Sequence, residues 1–107
     1  MVTSKAISAL AIDGTNIFAG TDTDGMFLST NKGTSWTAVN NGLTNKKIWS
    51  LAISGSKIFA GTYEGGVFTS NNNGASWTAS NTGLTNNVIT SLAISGSKIF
   101  AGTWGGV

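Results

Sequence analysis

Few side chains in this sequence could do chemistry, and most of those stand in turns. There are four carboxylates: Asp13, Asp22, Asp24 and Glu64. Glycoside hydrolysis needs two carboxyl groups facing each other across roughly 5–10 Å. Only Asp24 and Glu64, in corresponding turns of neighbouring units, are placed to attempt it. Acids in glycine-rich turns are more often solvated turn formers, so the chain reads as no enzyme. Asp22-Thr23-Asp24-Gly25 matches the start of a calcium loop, but the later oxygen ligands are missing. Neither a metal nor a cofactor is expected. His, Cys, Arg and Pro do not occur. That removes imidazole chemistry, thiolate nucleophiles, disulfides and the bidentate guanidinium clamp on carboxylate or phosphate.

The remaining candidates are aromatic. Trp49, Tyr63 and Trp104 fall near polar Asn and Thr residues, on a surface of the sort where sugar rings stack or a partner subunit docks. With Glu64 they form the candidate ligand-binding set. The structural alternative is that Trp49 packs between repeats and Tyr63 caps a turn. Six Lys against four acids leave a net charge of +2. Only Lys46 and Lys47 are adjacent, so no basic face for nucleic acid is expected. No apolar run reaches the ~18 residues of a membrane span. Met1 is followed by Val2-Thr3-Ser4, without the charged and apolar regions of a signal peptide.

These residues are positioned by a repeat. Displaced by 41 residues, the chain falls on itself. Leu10, Leu51 and Leu92 coincide, as do Phe18, Phe59 and Phe100, and Ser50 to Thr62 is identical to Ser91 to Thr103. Gly, Ser, Thr and Asn, about half of the chain, supply turns and solvent faces between apolar stretches. The units are 2–42, 43–83 and a partial unit 84–107, within one repeat domain. Each whole unit reads as four short strands. Ile48–Ile53 alternates in period two and is strand A. Lys57–Thr62 is strand B, with Gly61 where a neighbour approaches closely. Val67–Ser70 is strand C and Ser76–Ser80 strand D. Turns rich in Gly, Ser and Asn separate them, and no helical period is present. A 41-residue, four-stranded antiparallel meander is the unit of a β-propeller blade. The fold class is therefore all-β, built of propeller blades. In such a blade the B–C turns and D–A links share one face, which is where the units differ most: positions 22, 63 and 104 are Asp, Tyr and Trp.

At the turn between strands C and D, Ser29-Thr-Asn31-Lys-Gly33-Thr-Ser-Trp36 and Ser70-Asn-Asn72-Asn-Gly74-Ala-Ser-Trp77 resemble the Asp-box, or BNR repeat. That motif marks propeller blades in sialidases, sortilin-type receptors, some glycoside hydrolases and photosystem II assembly factors. The flanking pattern is similar to highly repetitive bacterial secreted propellers. The resemblance implies a structural C–D turn, with the Trp packed between blades, and an extracellular or cell-surface setting. Asn31 and Asn72 stand where the motif has Asp, and Ser35 and Ser76 where it has Thr. A sialidase of this type would need an arginine cluster, which the chain lacks.

A propeller ring needs at least four blades, and the sequence holds roughly 2.6 periods. Open blades would expose apolar faces and a strand edge. The expectation is an incomplete ring closed by homo-oligomerisation, as a dimer or trimer, with the half-blade as the difficulty. The chain would be a longer protein's extract or an ancestor-like or engineered fragment. The leading functional reading is a self-assembling, non-catalytic scaffold. The alternative is a lectin-like propeller that binds glycans on the B–C and D–A face.

Overall fold

In the computed structural model, residues 7–81, 88–95 and 98–103 are described. Unit 1 forms β1 (Ile7–Asp13), β2 (Asn16–Thr21), β3 (Met26–Ser29) and β4 (Thr37–Ala38). Unit 2 repeats them as β5 (Ile48–Ser54), β6 (Lys57–Thr62), β7 (Val67–Ser70) and β8 (Thr78–Ala79), and unit 3 contributes β9 (Ile89–Ser95) and β10 (Lys98–Thr103). The two whole units are antiparallel four-stranded sheets in sequence order, and the third is a two-stranded ladder. Strands A, B and C fall where the alternation puts them. Strand D does not, since β8 covers only two residues. The reason is local. Ser76 N donates to Asn72 Oδ1 at 3.0 Å, and Trp77 N to Asn41 O of the preceding unit at 2.8 Å. Both amides are spent before the ladder begins.

Cross-strand partners share a sheet face, so the register sorts each blade into two faces. Leu51, Ala60 and Phe68 align across β5, β6 and β7 on the face toward the preceding blade. Phe59 and Thr69 align on the other. The core lies between blades rather than within one. Phe18 and Met26 of unit 1 cluster with Leu43 of the link and with Ile48, Ile58, Ala60, Phe68 and Trp77 of unit 2. The Ala-Gly-Thr triplet shows how this contact is made. A Cβ on Gly20 would collide with Ile48 Cγ2 of the next blade, and one on Gly61 with Ile89 Cγ2. Glycine is needed because the following blade's first strand residue sits against the backbone. Thr21 and Thr62, fully buried, then close the B–C turns by donating through Oγ1 to Gly25 O and Gly66 O at 2.9 and 2.8 Å.

Candidate functional site: the aromatic cluster and the open blade faces

The strand-A ladders each contain one irregularity at their start. The register slips between Ile48 and Ser50, and likewise between Ile7 and Ala9, so residues 8 and 49 bulge out of the pairing. The β9–β10 ladder slips in the same place, around Thr90. Bulges re-aim a side chain. At Ser8 and Thr90 the hydroxyl folds back onto its own sheet, donating to Gly20 O at 3.2 Å and Gly102 O at 3.1 Å. Ser8 Oγ also contacts Ile48 O of the next blade. Trp49 has no hydroxyl to fold back, and its ring extends across the surface instead.

There it meets Tyr63. The ring centroids are 4.8 Å apart and tilted by 35°. Lys47 Nζ lies 5.2 Å from the Tyr63 centroid, within cation–π range. Trp49 Nε1 donates to Asp22 Oδ1 of the preceding blade at 3.4 Å. Tyr63 is held from both sides of its peptide: its N donates to Lys47 O at 3.0 Å, and its carbonyl accepts from Asn45 Nδ2 at 2.9 Å. Asn45 Oδ1 in turn accepts from Lys47 N at 3.0 Å. The D–A link is thus stitched to the B–C turn. Both rings are half-buried, while Asp22, Lys47 and Glu64 are exposed. Glu64 adopts φ 69°, a left-handed conformation that serves the turn. Trp104 lies outside the described residues.

Trp49 and Tyr63, read as one site from the sequence, are therefore brought together. The sequence reading missed Asp22, Asn45 and Lys47. Asp22 was legible in principle, because it occupies in unit 1 the place of Tyr63 in unit 2, one blade away from Trp49. Chemically the cluster offers a ring surface, one carboxylate, one ammonium and amide groups. Among the described residues, no three His, Cys, Asp or Glu side chains converge on one point.

The C–D turns sit on the opposite face. Ser70 Oγ accepts from Gly74 N at 2.8 Å and donates to Asn72 Oδ1 at 2.9 Å. Asn72 Nδ2 donates to Ser76 Oγ at 2.8 Å. Ser29, Asn31, Gly33 and Ser35 repeat the arrangement within 0.1 Å in unit 1. The two Trp residues that follow differ. Trp77 is buried and donates through Nε1 to Val39 O of the preceding blade at 2.9 Å. Trp36 is half-buried and donates to Gly33 O of its own turn at 3.2 Å.

That difference belongs to a wider pattern. Phe18, at the junction of units 1 and 2, is 0% exposed; its counterpart Phe100 on the last blade is 48% exposed. Leu10 and Ile12, on the outward face of the first blade, are 63% and 70% exposed, whereas Leu51 and Ile53 are half-buried. Between units 2 and 3 a cleft of about 400 Å³ is lined by residues 54–57, Phe59, Ile94 and Ile99. The sheet order, the inter-blade core and the open ends describe part of a ring. The chain is an arc of a β-propeller.

Comparison with known proteins supports this fold. No family model matches and no curated protein matches. Among solved structures, an ancestral GH74 enzyme superposes with a TM-score of 0.77 at 23% identity, covering 96% of this chain. The chain spans only 14% of that enzyme's length. The computationally designed Ika4 protein superposes with a TM-score of 0.54 at 13% identity, covering 98% of this chain and 89% of its own. Both are propeller proteins.

Proposed function

We propose that this chain is a non-catalytic propeller scaffold that assembles with copies of itself through its open blade faces. The observation that carries this is the exposure of identical residues. Phe18 is sealed where a blade follows, and Phe100, in the same register, is not. The interior junctions are a template, since the exposed faces repeat sequences that already bind each other within the chain. The likeness to a designed propeller protein fits a scaffold role. Mass measurement by light scattering tests it. A dimer or trimer is expected; a cooperatively folded monomer of 10.9 kDa at all accessible concentrations would overturn it. The turns at 29–36 and 70–77 are, on this reading, Asp-box turns with Asn in the Asp place.

A second reading rests on the Trp49–Tyr63 pair, whose half-buried rings and flanking Asp22, Lys47 and Asn45 suit stacking and hydrogen bonding to a sugar. Here the chain is lectin-like and its B–C and D–A face binds glycans. Glycan-array binding that disappears in both Trp49→Ala and Tyr63→Ala supports it. Binding that survives both substitutions, or no binding at all, ends it.

A further inference from the structure

The two junctions are made from the same repeat, so they can be compared position by position. In unit 1, Ala9 lies opposite Gly20 and Leu28 opposite Phe18, on the face that meets unit 2. In unit 2, Ser50 lies opposite Gly61 and Thr69 opposite Phe59, on the face that meets β9. Two apolar side chains at the first junction are thus hydroxyl-bearing side chains at the second. Those hydroxyls are stranded. Ser50 Oγ and Thr69 Oγ1 are buried and, among the described residues, have no hydrogen-bond partner. Ser50 Oγ and Ile89 Cγ2 both crowd the point where a Cβ on Gly61 would stand, so this hydroxyl is held against an apolar side chain.

The first junction also carries two polar ties. Ser8 Oγ contacts Ile48 O of the next blade, and Trp49 Nε1 donates to Asp22 Oδ1 at 3.4 Å. One repeat later, residue 49 has no hydroxyl to offer the backbone of Ile89. Thr90, in the place of Trp49, donates instead to Gly102 O of its own sheet at 3.1 Å. A buried polar group without a partner carries its full desolvation cost, and an apolar group of the same shape does not. The junctions share the close glycine contact, at Gly20 and at Gly61. Where they differ at these positions, each difference weakens the second.

We infer that the junction between unit 2 and the β9–β10 hairpin is a built-in opening joint, whose equilibrium is set by the buried hydroxyls of Ser50 and Thr69. The hairpin parts from unit 2 as one body while units 1 and 2 stay together. A two-stranded hairpin is marginal alone, so each opening unpairs β9 from β10 and lets their amides exchange with solvent. Opening at this joint is a property of one chain and does not require that copies assemble.

The test removes the hydroxyls and reads native-state amide exchange by NMR in the full chain. Ser50→Ala installs the residue that unit 1 has at this place, and Thr69→Val keeps the side-chain shape. In the double variant, exchange at Ala93 and Phe100, partners in the β9–β10 ladder, should slow roughly tenfold or more. Exchange at Ala11 and Phe18, the matching partners in the β1–β2 ladder, should not change. Ser50→Ala alone should give part of the same slowing, which guards against a poor fit of Val at position 69. Unchanged or faster exchange at Ala93 and Phe100 in both variants, or equal slowing at Ala11 and Phe18, overturns the inference. Scattering mass reads the assembly proposal instead, so the two fail independently.

Discussion

At the residue scale the repeat supplies its own controls, since one residue type recurs in environments differing by a single neighbour. Gly61 and Gly102 occupy the same place, but a Cβ on Gly61 meets both Ser50 Oγ and Ile89 Cγ2, and one on Gly102 meets Ser91 Oγ and other hydroxyl-bearing side-chain atoms. A hydroxyl rotates away; a fully buried Ile does not. Gly61→Ala should therefore cost about 1–3 kcal/mol, the usual range for overpacking, and Gly102→Ala distinctly less, read from urea midpoints. The residues of the turn between β7 and β8 allow a second comparison. Asn72 accepts from Ser76 N and Ser70 Oγ and donates to Ser76 Oγ. Asp retains both acceptor roles, and the Ser76 hydroxyl can reverse to donate. Asn72→Asp should leave stability nearly unchanged, while Asn72→Leu strands the turn donors and should cost about 1–3 kcal/mol, checked by the same melts. The repeat register puts Asp22 one blade away from Trp49, but their hydrogen bond depends on a bulge that alternation alone does not show.

At the element scale, strands A to C were legible because each has one apolar period bounded by turn residues. Gly61 was also read correctly as a point of close approach. Strand D failed because Ser76 and Trp77 look like strand residues yet give their amides to Asn72 of the preceding turn and to Asn41 of the preceding link. The segment works as an inter-blade tie more than as a sheet edge. Its Trp makes the point testable. Trp77→Ala removes a buried ring and its bond to Val39 O, and should cost about 3–5 kcal/mol. Trp36→Ala in the isolated chain removes a half-buried ring that bonds only its own turn, and should cost clearly less. If the two substitutions cost the same, the Trp36 face is covered in solution, so thermal melts of the pair also report on assembly.

At the scale of the whole molecule, composition and length pointed to an arc with open ends, and the exposures of Leu10, Ile12 and Phe100 locate those ends. What no sequence pattern conveys is that the hydrophobic core belongs to the junctions. Among the described residues one junction is built on Phe18 and Trp77, and a second holds the cleft at residues 54–59. A molecule whose core is made by stacking gains stability from each added junction, so the proposed assembly links folding to association. The unfolding midpoint should then rise with protein concentration over the micromolar range. Phe100→Lys places a charge on the last open face and should abolish that dependence, leaving a species whose radius of gyration in solution is near the 12.7 Å of the single chain. The unsubstituted chain should scatter as a larger particle under the same conditions. Phe59→Lys is the wrong substitution for this purpose, because its ring lies in the cleft inside the arc and its loss would loosen the chain itself. A midpoint independent of concentration, together with the single-chain radius for both proteins, would mean that the exposed apolar faces are stable in water and that stacking between copies is not what they serve.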